Sequence, residues 1–171
     1  MDNFINHYSL IIFTPIIALI LLLIFFKISK NKFISFILLF ITIFGVIILI
    51  NSFSPKESDK NINSNEILSA NKVKFVQVYS QTCLGCIINE PIIRDLEVDI
   101  NNEFSLDVVM IRLNVSDKKN FDIIKNLNAF TTPSYIILSD KNIVIWKQSG
   151  GLLNKNHVVD EIKNHIVSSK R

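Results

Sequence analysis

Two long apolar runs near the start of the chain place the strongest limit on its fold. Residues 10–26 read LIIFTPIIALILLLIFF and residues 33–50 read FISFILLFITIFGVIILI, and neither run contains a charged side chain. Each run is about 17 to 18 residues long, near the lower limit for a helix that crosses about 30 Å of hydrocarbon. We therefore predict a hairpin of two transmembrane helices within residues 1–50. Pro15 falls in the early turns of the first helix, where a missing N–H costs least.

A cleaved signal peptide followed by a buried helix is the alternative interpretation of these runs. A signal peptide has basic residues before a shorter apolar run and a small-residue cleavage site after it. The chain begins MDNFINHYS, without Lys or Arg, and no A-x-A sequence follows the first run. The sequence therefore favours two uncleaved spans.

The connection between the two runs predicts their orientation. It reads KISKNK and contains Lys27, Lys30 and Lys32. Positive residues in short loops stay on the cytoplasmic side, so both chain ends should lie on the periplasmic, lumenal or extracellular side. Lys56 and Lys60 follow the second run and weaken this contrast.

The apolar runs predict an anchor in the lipid bilayer and no transport role. They contain no Cys, Asp, Glu, Lys, Arg or His, which transfer of electrons or protons across a membrane would need. A separate membrane protein must then act as electron donor. Residues 51–71 are polar and indicate a linker, with a short helix near residues 64–70. The net charge of +3 is spread out, which argues against nucleic acid as a partner.

Residues 72–171 alternate between strand and helix patterns and predict one α/β domain. The first three strands are connected through helices, so we expect them to be parallel, with the fourth strand added antiparallel through a hairpin. The predicted strands cover residues 74–80, 106–115, 134–139 and 143–149. The predicted helices cover residues 84–100 and 117–127 and a last segment capped by Asn154.

Both cysteines of the chain, Cys83 and Cys86, lie where the first strand gives way to a helix. The N–H groups and macrodipole of a helix N-terminus favour a thiolate at Cys83, the species that attacks disulfides. Cys86 lies one turn deeper, where it can resolve the mixed disulfide by forming a small ring with Cys83. Gly85 keeps the space beside the pair small, and Leu84 offers an apolar contact for a partner.

A zinc site and a structural disulfide are the competing interpretations of the two cysteines. Zinc requires four ligands, and His157 and His165 are too far apart in sequence to complete the expected pattern. The loop between the cysteines is so short that a structural disulfide would constrain the unfolded chain little. We therefore predict no metal ion, and we place His7, His157 and His165 at surfaces or interfaces.

Several further features, taken in order, resemble the thioredoxin superfamily over residues 72–166. Pro91 stands five residues after Cys86, where the family has a proline that kinks the helix. Thr132 and Pro133 precede the third strand, as in the cis-proline loop of the family, and Gly150 follows the last strand. The segment IRLNVSD at residues 111–117 also resembles the family's strand end.

This resemblance implies a thioredoxin fold, with a central mixed sheet flanked by helices. It also implies a redox-active Cys83–Cys86 disulfide with no other cofactor. In the family, the residue before the cis-proline pairs with the substrate backbone, which here is Thr132. Pro133 packs against the sulfurs in the family, and its missing N–H suits the start of a strand.

The chain departs from the usual thioredoxin pattern at several positions near the cysteines. Thr82 replaces the Trp before the first Cys, and Leu84 and Gly85 replace Gly-Pro between the pair. Gln77 stands where the family has a buried Asp that assists deprotonation of the second cysteine, and Arg112 stands at the partnered basic position. These departures favour a specialised relative over a general cytosolic thioredoxin.

The sequence thus predicts a membrane-tethered thiol–disulfide oxidoreductase that acts on protein thiols and disulfides. We expect a reductase for exported proteins such as apocytochrome c, because the dipeptide between Cys83 and Cys86 lacks the His of oxidising relatives. A disulfide-forming oxidase or isomerase is the alternative within this class. A non-catalytic thioredoxin-like assembly factor is the alternative outside it.

Overall fold

The computed structural model describes residues 2–28, 32–53, 55 and 71–169. Helix α1 (Asp2–Ile28) and helix α2 (Lys32–Phe53) cover the two apolar runs and pack against each other. Among the described residues, no helix combines the length and apolar character needed to cross a membrane. The structure therefore does not confirm the predicted anchor. The predicted helix at residues 64–70, and Lys30 of the predicted cytoplasmic loop, lie outside the described residues.

Residues 71–169 form an α/β unit with the predicted succession of strands and helices. Its strands are β1 (Val73–Tyr79), β2 (Val108–Asn114), β3 (Ser134–Leu138) and β4 (Val144–Ser149). Its α-helices are α3 (Leu84–Glu103), α4 (Phe121–Asn126) and α5 (Lys155–Ser169), and a 3₁₀ turn at Lys118–Asn120 precedes α4. Asp117 caps that turn by accepting from the Lys119 N–H, as the sequence predicted for a helix start.

The four strands form one mixed sheet in the order β2-β1-β3-β4. Strand β1 pairs in parallel with β2, and β3 pairs antiparallel with both β1 and β4. The β3–β4 hairpin agrees with the sequence prediction. The prediction that the first three strands are all parallel was wrong, because β3 runs opposite to β1.

Little helix connects β2 to β3, which accounts for the error in the predicted direction of β3. The 3₁₀ turn and α4 together rise about 15 Å, whereas a seven-residue strand such as β2 is about 23 Å long. The chain therefore does not return to the starting end of the sheet. It enters β3 at Ser134, which pairs with Val78 near the carboxyl end of β1.

Helices cover both faces of the sheet and bury β1 completely. Side chains from alternate positions of β1, such as Phe75, pack with residues of α3 and α5. The other face carries Val76 and Val78, which pack with Ile123 and Ile124 of α4. Because both faces are buried, β1 is apolar at most positions and does not alternate with polar residues. The carboxyl end of this central strand leads directly to the two cysteines.

Candidate active site

The two cysteines lie at the start of α3, next to the carboxyl end of β1. Cys83 is the N-cap of this helix, with extended backbone angles of φ −87° and ψ 115°. Its Sγ accepts a hydrogen bond from the Cys86 N–H at 3.3 Å, and its carbonyl oxygen accepts from the same N–H at 3.0 Å. Cys83 Sγ therefore takes the place of the Ser or Asp oxygen that usually caps a helix.

Both side chains are free thiols in a buried apolar cluster. Cys83 is 2% exposed and Cys86 is fully buried, and Tyr79 from the end of β1 completes the cluster. Burial alone disfavours a thiolate. A working thiolate at this site therefore needs specific hydrogen-bond donors.

Hydrogen bonding gives the two thiols opposite acid strengths. The Cys86 thiol donates to Cys83 and is the main cause that lowers the pKa of Cys83 to about 6. Burial opposes this effect, while the Thr132 hydroxyl and the N–H groups of Cys86 and Gly85 add to it. The same contact with Cys83 raises the pKa of Cys86, and burial and repulsion by the Cys83 charge raise it further. At neutral pH, Cys83 is a thiolate and Cys86 is a protonated thiol.

The loop before β3 packs directly against the cysteine pair. The Thr132–Pro133 peptide bond is cis, and Thr132 is buried. A Cβ atom added to Gly85 would lie 3.0 Å from Pro133 Cδ and 3.9 Å from Cys83 Sγ. Gly85 therefore allows the proline ring to approach the helix start.

A second loop reaches the site after β4. Gly150 and Gly151 have φ angles of 73° and 74°, in the left-handed region that favours glycine. The Gly150 N–H donates to the Pro133 carbonyl oxygen at 2.7 Å. Gly150 thus holds the cis-proline loop from the side opposite β1.

Asn89 is a site residue that sequence reasoning missed. Its amide nitrogen donates to the carbonyl oxygens of Gly85 at 2.8 Å and Gly151 at 3.0 Å, and its oxygen accepts from the Leu153 N–H at 2.7 Å. Asn89 is 1% exposed, so these bonds join α3 to the Gly150–Gly151 loop in the absence of solvent. The available signal was an amide at a position that helical spacing places on the buried, mostly apolar face of α3.

A buried ion pair also lies on the inner face of α3, and the sequence predicted only part of it. Arg112 of β2 donates to both carboxylate oxygens of Glu90, at 2.6 Å and 3.2 Å, and to the Gln77 side-chain oxygen at 2.8 Å. Glu90 also accepts from Arg94 at 3.2 Å. The departures at Gln77 and Arg112 were noted from the sequence, but Glu90, just before Pro91, was not.

The remaining predicted residues lie in the expected segments. Pro91 lies within α3, which continues through it. Thr82 is half-buried before the helix, with its N–H donating to Ser80 Oγ at 3.3 Å. Leu84 is 44% exposed beside the buried cysteines.

Two of the three histidines lie on α5. His157 is exposed on α5, next to the Trp146 ring at 5.8 Å between centroids, and His165 is half-buried on the same helix. The side chain of His7 is outside what the structure describes. In the described part of the chain, no three His, Cys, Asp or Glu side chains group to hold a metal ion.

The sheet order and the flanking helices are consistent with a thioredoxin fold. No protein-family model matches the chain, and comparison with curated proteins gives no match. Among solved structures, the chain is similar to Fasciola hepatica thioredoxin, at 18% identity over 57% of this chain and 84% of that one, with a TM-score of 0.45.

Two further solved structures show the same level of likeness. Malassezia sympodialis thioredoxin is 14% identical over 61% of this chain and 87% of its own, with a TM-score of 0.48. StoA from Bacillus subtilis is 10% identical over 54% of this chain and 83% of its own, with a TM-score of 0.45. Because these scores and identities are low, the proposals below rest on the geometry of this chain.

Proposed function

We propose that the protein is a thiol–disulfide oxidoreductase in which Cys83 attacks and Cys86 resolves. The opposite acid strengths of the two thiols carry this proposal. Cys83, with a pKa of about 6, is the thiolate that attacks a partner disulfide, and Cys86 stays protonated until the mixed disulfide has formed. The electrons of the dithiol pass to the partner, and the product is a Cys83–Cys86 disulfide.

The surface around the cysteines favours a protein partner with apolar residues beside its disulfide. Leu84, Ile88, Phe130 and Leu152 are large apolar side chains on the segments that form the site, and they are 40% to 69% exposed. Cys83 itself is 2% exposed, so a partner must dock closely before its sulfur meets Cys83 Sγ. Thr132, ahead of Pro133, is the proposed contact for the partner backbone.

We infer that the net direction is reduction of exported proteins, such as apocytochrome c. The Cys83 pKa of about 6 is nearer to the value of about 7 in thioredoxin than to the value of about 3.5 in a strong disulfide donor. A strongly stabilised thiolate is what makes a dithiol oxidising. A measured reduction potential nearer −270 mV than −120 mV, the rough values for thioredoxin and the strong donor, is expected. A reduction potential near about −120 mV would instead indicate an oxidase or isomerase.

Membrane attachment forms a separate part of the proposal. It rests on the two uncharged runs at residues 10–26 and 33–50 and on the lysines between them. The domain of residues 72–171 would then work on the periplasmic, lumenal or extracellular side, and a membrane protein would supply its electrons. Extraction of membranes with alkaline carbonate tests this part, since release of the chain into the supernatant excludes an integral anchor.

Trapping of the partner tests the proposed chemistry. The variant Cys86→Ser retains the attacking sulfur but lacks the resolving one, so it should accumulate a mixed disulfide that reducing agent releases. The matched variant Cys83→Ser should accumulate none, because Cys86 is buried and protonated. Equal adducts from both variants, or none from either, would contradict the assigned roles. A non-catalytic assembly role would survive loss of both cysteines.

A further inference from the structure

The loop of residues 150–153 carries an exposed apolar side chain next to the cysteines. Leu152 is 69% exposed, whereas Leu153 beside it is buried and packs with core residues of α3 and α5. Gly150 and Gly151 precede them with left-handed backbone angles, and glycine loses more conformational freedom on folding than any other residue. A fixed position for Leu152 therefore requires specific bonds between this loop and the rest of the domain.

Asn89 supplies these bonds from the interior of the domain. Its amide nitrogen donates to the Gly151 carbonyl oxygen at 3.0 Å, and its oxygen accepts from the Leu153 N–H at 2.7 Å. The two bonds hold the backbone on both sides of Leu152. The same amide nitrogen donates to the Gly85 carbonyl oxygen at 2.8 Å, so one side chain joins the loop to the turn that carries the cysteines.

Further contacts connect the loop to the other segments of the site. Gln148 Nε2 donates to the Gly150 carbonyl oxygen at 2.9 Å, and the Gly150 N–H donates to the Pro133 carbonyl oxygen at 2.7 Å. Pro133 in turn lies against Gly85, where an added Cβ atom would be 3.0 Å from Pro133 Cδ. The cysteine turn, the cis-proline loop and the loop of residues 150–153 thus form a closed ring of contacts that Asn89 completes.

A groove beside this ring runs between α3 and the same loop. Its volume is about 430 Å³, and Ile92 of α3 and Leu152 both line it. Ile92 follows Ile88 by four residues and Leu84 by eight, so these three side chains form one apolar stripe along the helix. The stripe extends about 12 Å from the helix start. The groove is therefore continuous with the surface around Cys83.

We propose that Asn89 is a positioning residue for partner recognition, which holds Leu152 and the α3 stripe at the spacing that receives an apolar side chain beside the partner's disulfide. Its bonds go to backbone atoms and not to the sulfurs, so it acts through Leu152. Asp95 and Lys155 also line the groove, and their opposite charges select no charged partner residue. A loop that is fixed before the partner arrives loses less conformational freedom on binding. This inference rests on the proposed function of the cysteine pair.

The choice between two peptide disulfides tests this role. The reduced full-length protein is mixed with a peptide that carries Leu beside its disulfide or with the same peptide carrying Ser there, and the second-order rate constant of peptide reduction is measured. Hydroxyethyl disulfide, which has no flanking residues, gives the reference rate of the sulfur chemistry. The parent protein should reduce the Leu peptide about tenfold faster than the Ser peptide, the lower end of the discrimination of about 10–200-fold that apolar pockets provide.

Two single variants and their combination assign the effect. Asn89→Ala should reduce the Leu peptide about tenfold more slowly than the parent and keep the reference rate. Leu152→Ala changes an exposed side chain and leaves the fold intact, and it should give the same result. The double variant should lose no more than either single variant, because both act through one contact. The control Leu106→Ala removes a leucine that is 84% exposed before β2, at the end of the sheet opposite the cysteines, and all its rates should be unchanged.

The outcomes separate this inference from the proposed function. If the parent protein reduces none of the disulfides, hydroxyethyl disulfide included, the proposed function is refuted. Reduction without a preference for Leu, or a preference that survives either single variant, would refute the role of Asn89 and leave the function intact. Losses that multiply to about 100-fold in the double variant would also refute it. Equal slowing with all three disulfides in Asn89→Ala would do the same, because a general loss of structure would explain it.

Discussion

The lowered pKa of Cys83 depends most on one donor, the Cys86 thiol, which makes Cys86→Ala an informative change. The Cys86 thiol is the largest cause of the lowered pKa of Cys83. A hydrogen bond to a charged group contributes about 1.5–3 kcal/mol, and one pKa unit corresponds to about 1.36 kcal/mol. Removal of the donor should therefore raise the pKa of Cys83 by about one to two units, while the Cys86 N–H at 3.3 Å remains in place.

The matched variant Cys86→Ser separates the donor from the rest of the side chain. A serine hydroxyl can still donate to Cys83 Sγ, so its pKa should stay closer to the parent value of about 6. The assay follows thiolate absorbance of Cys83 against pH. The titration midpoint is used instead of an alkylation rate, because a more basic thiolate is also more nucleophilic and partly offsets its lower population. Identical midpoints in the Ala and Ser variants would refute the assigned cause.

Three further changes test the site. The pKa of Cys83, about 6, lies below its ordinary value of 9.0, so its thiolate contributes stability above pH 9 that is lost as the pH falls through 6. The free energy of unfolding of the reduced protein, relative to Cys83→Ser, should therefore rise between these pH values; a flat or falling difference would contradict this. Gly85→Ala places a Cβ atom 3.0 Å from Pro133 Cδ, so it should lower the free energy of unfolding in urea by about 1–3 kcal/mol. The control Gly45→Ala should not lower it, because the added Cβ atom has nothing within 4 Å. Asn89→Ala leaves the buried Leu153 N–H without its 2.7 Å acceptor and should cost at least about 1–3 kcal/mol; the exposed control Asn156→Ala should cost little, and equal losses would argue against the role of Asn89.

The sequence predicted the order of strands and helices because the relevant signals are local. Apolar residues at helical spacing marked α3, and the turn before Ile143 marked the β3–β4 hairpin. Asp117 and Asn154 marked helix starts, and both accept hydrogen bonds from the following N–H groups. The direction of β3 was missed because it depends on where the chain re-enters the sheet, which local patterns do not determine.

The candidate site was predicted unevenly for a similar reason. Cys83, Cys86 and Pro133 belong to recognisable motifs, so their proximity could be expected. Asn89 and Glu90 act through partners that are distant in sequence, on the loop after β4 and on β2. Their importance becomes visible only when the helix is placed on the sheet.

The complete burial of Cys86 has a consequence for how long a partner stays attached. A docked partner meets a single reactive sulfur, while the second remains inside the protein. The partner therefore determines whether a covalent complex forms, but the surroundings of Cys86 determine when it ends. Partners of different shapes whose leaving thiols have similar pKa values would then share a similar bound lifetime, because the attacking sulfur lies in an interior that their surfaces do not contact.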